Sequence, residues 1–276
     1  MRVRTIDYNE LRRIAANNRL RILDMIYAGR SGHIGGSLSC VDIVTYLGEC
    51  VIDYSKEERD RFILSKGHAV PALYAEFCEL GFIHEDELKT FRKINSRLQG
   101  HTNILKMPIS DMTTGLLGQG LSYGVGIAFG KRLKESKSTV YVMIGDGETH
   151  EGQIWEALME AGHYRLDNLV LIIDRNGLCS HQPVENVISI EPLKDRLETF
   201  GWNVKEIDGH NMEQIDSCFT SLTAQFGKPK CVIAHTVKGK GISFMENNGK
   251  WHRSVPNHEE YEIAREEILG LKEAQG

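Results

Sequence analysis

The sequence has no paired-cysteine motif, although it contains six cysteines. None of them forms a CxxC pair or a spacing suited to zinc, and several fall in apolar runs, as reduced and buried cysteines do. The sequence therefore argues against a disulfide-stabilised scaffold and against a zinc module. The six are Cys40, Cys50, Cys78, Cys179, Cys218 and Cys231.

The sequence also has no excess of basic residues and no long apolar segment. Its formal net charge is −5, so no positive surplus exists to neutralise the phosphates of a nucleic acid. No stretch approaches the roughly 18 consecutive apolar residues that predict a membrane span, and no apolar run follows the first arginines, as a signal peptide requires. We therefore expect a cytoplasmic protein.

What the sequence does contain is a regular alternation of short apolar runs and amphipathic segments. The former predict β-strands and the latter α-helices. Strands separated by helices indicate an α/β fold, a parallel sheet sandwiched by helices, which we predict to be one domain over residues 1–276. The predicted strands are 61–64, 139–144, 169–173, 204–207 and 231–234. The predicted helices are 7–28, 38–48, 71–80, 153–164, 193–200, 212–225 and 257–274.

Local signals refine the first helix and add two further segments. Asp7, followed by Glu10, predicts a capping box at the start of the first helix, and Gly29 predicts its end. The glycine-rich residues 30–37 are predicted to form a loop. The six glycines between residues 115 and 130 predict a closely packed helix, because their spacing does not match the G-x-G-x-x-G of nucleotide-binding proteins.

Polar loops follow two consecutive predicted strands. Gly145-Asp146-Gly147 ends one strand, and Asn176-Gly177 ends the next. Because the carboxyl ends of parallel strands meet at one sheet edge, Asp146 and Asn176 are expected to converge. Carboxylate and amide oxygens suit a hard divalent cation such as Mg²⁺, and the glycines let a diphosphate approach the backbone. The pair therefore predicts a metal–diphosphate site.

This pattern, with Glu151-Gly152 after the first loop, resembles the thiamine-diphosphate-binding motif. The resemblance implies that Asp146, Asn176 and the main-chain carbonyl of Leu178 bind the metal, with Mg²⁺ expected and Ca²⁺ or Mn²⁺ as alternatives. It also implies that Gly145 and Gly147 bind the cofactor and that the fold is the family's diphosphate-binding (PP-type) domain.

Further loops narrow the resemblance to the transketolase family, over residues 10–265. They are Ser31–Gly36, Leu64–His68, Gly100-His101, Thr113–Gly120 and Trp251-His252. The resemblance implies that His68 binds the cofactor, that Gly115 and Leu117 contact its aminopyrimidine, and that the remaining histidines of these loops bind substrate hydroxyls and the developing alkoxide. These catalytic candidates are His33, His101 and His252.

The resemblance also implies an incomplete site. In transketolases a glutamate from a second, pyrimidine-binding domain activates the cofactor, and no second βαβ series is found in this sequence. We therefore expect a separate partner chain, as in split transketolases, with an α2β2-type assembly that acts on sugar phosphates. Glu151, the fourth catalytic candidate, is then expected to face the partner's glutamate and to share a proton with it.

Two departures from the family pattern leave the substrates open, since His181 and Arg253 stand where other residues are usual. A deoxyxylulose-phosphate synthase and a keto-acid dehydrogenase subunit share the metal motif and are alternatives. A non-catalytic cofactor-binding regulatory module is another. A phosphatase-like magnesium hydrolase fits poorly, because no second carboxylate is evident around Asp146.

Overall fold

A computed structural model describes residues 6–273 of the chain. Five strands form a parallel sheet in the order β1-β2-β3-β7-β6, and β4 and β5 form a small antiparallel hairpin. The strands are β1 Arg61–Leu64, β2 Val140–Gly145, β3 Leu169–Arg175, β4 Leu178–Cys179, β5 Gln182–Pro183, β6 Asn203–Asp208 and β7 Lys230–His235. The helices are α1 Tyr8–Gly29, α2 Ile34–Tyr46, α3 Val70–Glu79, α4 Gln119–Leu133, α5 Gly152–His163, α6 Val184–Val187, α7 Leu193–Thr199, α8 Met212–Thr223 and α9 His258–Glu273.

Both faces of the sheet are covered by helices. Alternate residues of β3 point to opposite sides: Val170 and Ile172 belong to one apolar core, and Leu169 and Leu171 belong to the other. Helices α1, α2, α3, α8 and α9 contribute to the first core, and α4, α5 and α7 to the second. A strand buried on both faces must be apolar throughout, which is why its sequence showed no alternation. The predicted α/β sandwich is confirmed.

Helix α1 begins largely as predicted. The side chain of Asp7 accepts hydrogen bonds from the backbone N–H groups of Asn9 and Glu10, at 3.0 and 3.2 Å. The carboxylate of Glu10 does not accept a hydrogen bond from the backbone N–H of Asp7, as a capping box requires, and pairs instead with Arg13. At the other end of the chain, α9 is described to Glu273, and the predicted last residue, Ala274, lies outside the described residues.

The predicted loop over residues 30–37 is wrong in its second half, because helix α2 already begins at Ile34. Gly35 serves close packing, because a Cβ there would lie 3.0 Å from the carbonyl oxygen of Trp251, whereas one on Gly36 would lie at an ordinary contact distance of 3.5 Å from His68. Tertiary contacts thus override the low helix propensity of glycine. A π-helical turn, Leu47–Val51, extends α2.

The segment Ile34–Val51 is long and apolar enough to cross a membrane, with a mean hydropathy of 1.2, but 83% of it is buried inside the protein. That burial is typical of a core helix.

Helix α4 is closely packed at two of its glycines, as predicted. A Cβ on Gly124 would lie 2.4 Å from Cγ2 of Val142, and one on Gly120 would overlap Ser65. Gly126 and Gly130 face open space instead. The sequence did not predict the β4–β5 hairpin, which directly follows Asn176-Gly177 and brings Cys179 against Gly147.

Candidate active site

A cavity of about 780 Å³ lies at the carboxyl ends of strands β1, β2 and β3. It brings together loops from along most of the chain. Its charged lining residues are four basic side chains at Lys66, Arg92, Lys238 and Arg253 and two buried acidic ones at Asp146 and Glu148. The lining residues are Ser31, Gly32, His33, Gly36, Lys66, His68, Arg92, His101, Gly115, Leu117, Gly145, Asp146, Gly147, Glu148, Asn176, Leu178, Cys179, Ser180, Lys238, His252 and Arg253.

Asp146 joins the two loops in which the metal ligands were predicted. It is 1% exposed. Its Oδ1 accepts a hydrogen bond from the N–H of Gly147 at 2.8 Å, and its Oδ2 accepts one from the N–H of Gly177 at 2.6 Å. Arg175 donates to the same Oδ2 at 3.3 Å. Burial, and then the nearby charge of Asp174, raise the pKa of Asp146, so a cation at this carboxylate would relieve an unfavourable negative charge.

Asn176 is held by hydrogen bonds on both sides of its amide. Its Nδ2 donates to Oδ2 of Asp174 at 3.1 Å, and its Oδ1 accepts from the N–H of Leu178 at 3.1 Å. Asp174 is fully buried; burial acts to raise its pKa, but the ammonium of Lys66 and hydrogen bonds outweigh burial and lower it. Its other hydrogen-bond donors are Lys66, Ser39 and Thr236. This network fixes the orientation of Asn176.

Two buried lysines face the same end of the cavity. Nζ of Lys66 donates to Asp174 and to the carbonyl of Gly36. Nζ of Lys238 donates to the carbonyls of Leu178 and Ser180, at 3.2 and 2.9 Å. Burial lowers the pKa of Lys238 to about 8, so this ammonium group stays mostly charged at neutral pH. The two lysines are suited to bind an anion such as a diphosphate.

Three of the four predicted histidines form a cluster beyond these lysines. The ring centroids of His33 lie 5.1 Å from those of His68 and His252, and His68 lies 5.4 Å from His252. Burial lowers the pKa of His33 to about 4 and that of His252 to about 3, and it holds the pKa of His68 well below its usual value. The rings are therefore neutral at physiological pH, and each can donate or accept a hydrogen bond.

Some of these ring nitrogens have no partner within the described residues. Nδ1 of His33 and Nδ1 of His252 are buried and make no hydrogen bond there. Buried polar atoms are costly to leave unpaired, so the histidine cluster retains hydrogen-bonding capacity that the described residues do not use. His101, the fourth predicted histidine, lines the cavity next to Gly115.

Glu148 is a cavity residue that the sequence did not predict. Its carboxylate accepts hydrogen bonds from Ser65, from the N–H of Gly118 at 2.9 Å and from the N–H of Gly145 at 3.2 Å. Burial raises its pKa. These bonds connect three loops of the cavity, and we know of no sequence signal that would have distinguished Glu148 from a surface acid. Lys66 was missed individually, although its loop was noted.

The other predicted residues do not all line the cavity. Most of them line the cavity together with Asp146 and Asn176, namely Gly115, Leu117, Gly145, Gly147 and Leu178. Glu151 does not: it is exposed at the start of α5, beside Gly118. Its expected role across an interface stays a prediction.

These features define an α/β domain with a cavity at a sheet edge that is suited to a metal ion and an anionic ligand. Comparison with known proteins identifies the family. The family described as "Transketolase, thiamine diphosphate binding domain" matches residues 11–275, and the chain belongs to it.

Relatives of similar length are named as subunits of larger enzymes. The chain is 44% identical over 256 residues to a subunit of the apulose-4-phosphate transketolase of Phocaeicola vulgatus, covering 91% of each. It is 39% identical over 242 residues to the 6-deoxy-6-sulfo-D-fructose transketolase subunit SqwG of a Clostridium species, covering 86% of this chain and 88% of the relative.

Other relatives are longer. The chain is 39% identical to human transketolase over 258 residues but covers only 41% of it. The crystal structure of Campylobacter jejuni transketolase superposes with a TM-score of 0.89 at 29% identity, covering 98% of this chain and 46% of that one. The chain thus spans less than half the length of these transketolases.

Proposed function

We propose that this chain is the diphosphate-binding subunit of a thiamine-diphosphate-dependent transketolase made of two polypeptides. The complete enzyme transfers a two-carbon ketol unit from a ketose to an aldose, with sugar phosphates as the expected substrates. The observation that carries the proposal is one cavity that joins Asp146 and Asn176 to a cluster of neutral histidines. Relatives named as subunits match nearly the whole chain, which supports a two-chain enzyme.

The donor groups at the sheet edge fit a divalent metal. We assign one carboxylate oxygen of Asp146, Oδ1 of Asn176 and the carbonyl oxygen of Leu178 as its ligands, and Mg²⁺ as the metal, with Ca²⁺ or Mn²⁺ as substitutes. The carbonyl of Leu178 already accepts a bond from the ammonium of Lys238, so this position favours a positive charge. A diphosphate would complete the coordination and accept bonds from Lys66 and His68.

We assign the histidines to binding of the substrate. When bound, thiamine diphosphate supplies the carbon nucleophile that takes up the ketol fragment. Because burial keeps His33 and His252 neutral, their rings, which line the cavity, can bind sugar hydroxyl groups. They can also pass a proton to or from an oxygen whose charge changes during the reaction.

Exposed residues at the rim of the cavity support the proposal of a partner chain. Leu116 is 78% exposed and Leu117 is 37% exposed, and Glu151 is exposed nearby. Adjacent exposed leucines at the mouth of a ligand cavity are typical of an interface. We propose that a partner with the pyrimidine-binding domain covers them, that Glu151 faces its glutamate, and that the two chains assemble as α2β2.

Reconstitution tests the proposal. The chain should co-purify with the product of an adjacent transketolase-like gene. The mixture, with thiamine diphosphate and Mg²⁺, should transfer ketol units from at least one member of a ketose panel that includes fructose 6-phosphate, apulose 4-phosphate and 6-deoxy-6-sulfofructose. Each chain alone should be inactive. Full activity of this chain alone would refute the two-chain proposal, and cofactor binding without activity in any mixture would favour a non-catalytic module.

A further inference from the structure

His210, in the loop between β6 and α8, is a largely buried histidine that is not among the residues lining the cavity. Its Nδ1 lies 2.7 Å from Oδ2 of Asp42, and its Nε2 accepts a hydrogen bond from the backbone N–H of Val237 at 2.8 Å. Because an N–H can donate only to an unprotonated ring nitrogen, the ring is neutral and carries its proton on Nδ1, which donates to Asp42.

Asp42, on α2, fixes this tautomer. Arg19, on α1, donates to both of its carboxylate oxygens, at 2.9 and 2.6 Å, and both side chains are only 7% exposed. Burial acts to raise the pKa of Asp42, but the charge of Arg19 and the hydrogen bond from His210 outweigh burial and lower it. The charged carboxylate can only accept hydrogen bonds, so the imidazole presents Nδ1–H to it and keeps Nε2 as an acceptor.

The bond to Val237 lies where the sheet ends. Strand β7 lies between β3 and β6, and consecutive N–H groups of such a strand point to opposite neighbours. The N–H of Thr236 still donates to the carbonyl of Arg175, at the end of β3, at 3.2 Å. The N–H of Val237 points towards β6, which has ended at Asp208, so the side chain of His210 supplies the acceptor instead.

The next residue is Lys238, whose buried ammonium faces the metal end of the cavity. The N–H of Gly239 donates to the carbonyl of Gly35 at 3.0 Å, and a Cβ on Gly35 would lie 3.0 Å from Cγ of Lys238. The backbone is therefore hydrogen-bonded on both sides of Lys238, to His210 before it and to Gly35 after it. Loss of the bond to His210 would release one of these two attachments.

We propose that Asp42 and His210 are positioning residues for Lys238. Asp42 selects the tautomer of His210, the ring holds the N–H of Val237, and this bond sets the place from which the ammonium of Lys238 reaches the cofactor's diphosphate. The inference rests on the proposed function, which places the diphosphate at this end of the cavity. Neither positioning residue lines the cavity, so both act through the backbone.

The first measurement concerns the ring itself and needs no ligand. In the full chain labelled with ¹⁵N-histidine, a long-range ¹H–¹⁵N correlation spectrum distinguishes the two neutral tautomers, and His210→Gln identifies the signals of His210 by their loss. We expect the Nδ1–H tautomer at neutral pH. The Nε2–H tautomer or a doubly protonated ring would refute the proposal, because neither can accept a bond from Val237.

The second measurement is the affinity for thiamine diphosphate at saturating Mg²⁺, by calorimetric titration of variants whose folding is checked by circular dichroism. His210→Leu removes the acceptor, and the dissociation constant should rise about tenfold, because the charge-assisted bond from a displaced Lys238 is weakened. His210→Gln keeps an amide oxygen that can replace Nε2, so its dissociation constant should stay within about threefold of the unmodified value.

His235→Leu is the matched control. His235 also pairs with a carboxylate, through Nε2 and Oε2 of Glu206 at 2.9 Å, but its side chain is 57% exposed at the surface. This variant should bind the cofactor like the unmodified chain. An equal loss of affinity in His235→Leu and His210→Leu would refute the positioning role.

Asp42→Asn tests how the tautomer is selected. The amide has nearly the shape of the carboxylate, but the atom that faces Nδ1 can then donate as well as accept, so both tautomers become possible. We expect signals of the Nε2–H tautomer to appear and the cofactor affinity to fall partway to that of His210→Leu. An unchanged tautomer would mean that Asp42 does not select it.

A double-mutant cycle separates positioning from a general structural role. Lys238→Met removes the ammonium and should itself weaken cofactor binding about tenfold or more. If His210 acts through Lys238, adding His210→Leu to Lys238→Met should change the dissociation constant by less than about twofold. Equal effects of His210→Leu in both backgrounds, or unchanged affinity of His210→Leu alone, would refute the proposal.

The outcomes distinguish the two proposals. If the unmodified chain binds no thiamine diphosphate with Mg²⁺, the proposed function fails. If it binds the cofactor and the cycle shows no coupling between His210 and Lys238, only the positioning role fails. If His210→Leu does not fold, the tautomer of His210 in the unmodified chain and the affinity of Asp42→Asn decide between support and refutation.

Discussion

The two ends of the cavity differ in how far the chain satisfies its own polar groups. At the metal end, both carboxylate oxygens of Asp146 accept backbone hydrogen bonds, and Asn176 is bonded through both amide atoms. At the histidine end, Nδ1 of His33 and of His252 are buried without a partner in the described range. The metal end is therefore organised by this chain, whereas the histidine end keeps two ring nitrogens that this chain leaves unpaired.

The difference suits the two roles proposed for the ends of the cavity, metal and diphosphate binding at one and substrate binding at the other. A site that holds a metal and a diphosphate benefits from rigid donors, because little ordering remains to oppose binding. A substrate site must exchange ligands at each turnover, so unpaired groups are retained there. We therefore expect changes at the metal end to affect stability and cofactor affinity, and changes at the histidine end to affect pH dependence and partner or substrate binding.

The largest effect should come from Lys66→Met. This change leaves the fully buried carboxylate of Asp174 without its ammonium partner, and breaking a buried pair costs about 3–5 kcal/mol. The free energy of unfolding, measured with urea, should fall accordingly. Because the pKa of Asp174 is lowered in the fold, its stabilisation is present above the unfolded pKa and lost as the pH falls, and the variant should lack this contribution.

Two further variants control this result. Lys89→Met removes an ammonium that pairs with Asp86 at the surface and should change stability by less than about 1 kcal/mol. Adding Asp174→Asn to Lys66→Met should recover part of the loss. If Lys66→Met alone changes stability as little as the surface control does, the buried pair does not organise the metal end.

The next effect is on cofactor affinity. Asp146→Ala removes the only carboxylate among the three assigned ligands, so thiamine diphosphate should bind about 100-fold more weakly in the presence of Mg²⁺. Calorimetric titration measures this directly, and Asp195→Ala, on the exposed face of α7, should bind like the unmodified chain. Equal affinity of both variants would remove the metal assignment.

A smaller effect is expected at the rim. Leu116→Ser removes an exposed apolar side chain that we assign to the partner interface, and the dissociation constant of the two chains should rise about tenfold. Leu133→Ser is the matched control, because Leu133 is 84% exposed at the far end of α4. If both variants weaken partner binding equally, or neither does, the rim is not the interface.

The smallest effect concerns pH. Burial lowers the pKa of His252 to about 3, below the unfolded value of about 6.5. As the pH falls, the unfolded chain therefore binds a proton first, so stability is full above about pH 6.5 and declines below it. His252→Asn should reduce this slope by up to about 1.4 kcal/mol per pH unit.

The control for this measurement is His84→Asn, at a histidine whose side chain is 82% exposed. It measures what the loss of a surface imidazole does to the slope of unfolding free energy against pH. If His252→Asn changes that slope no more than His84→Asn does, the ring of His252 is not held neutral by burial.

The sequence predicted the sheet well because its strands are buried on both faces and therefore apolar without interruption. Residues 61–64 were predicted as a strand with the observed bounds, and the ends of the other four strands differ by at most two residues. The start of α2 was missed because Gly35 and Gly36 suggest a loop locally. Only the packed fold explains Gly35, through the close approach of the Trp251 carbonyl.

At the site, the residues that follow strands were predictable, since a polar residue after an apolar run marks a sheet edge. Asp146 and Asn176 were found in this way. Glu148 and Lys66 act through partners distant in sequence, Gly118 and Asp174, and Arg92 faces the cavity only because the loop folds against Gly100. Contacts of this kind have no local pattern.

The most direct measurement of the central claim is a crystal structure of the chain soaked with Mn²⁺ and thiamine diphosphate, with anomalous data collected for the metal. We predict one strong anomalous peak, within about 2.0–2.3 Å of a carboxylate oxygen of Asp146, Oδ1 of Asn176 and the carbonyl of Leu178, with Lys238 moved to the diphosphate. A bound cofactor with no metal at these three oxygens, or with its metal elsewhere, would contradict the account.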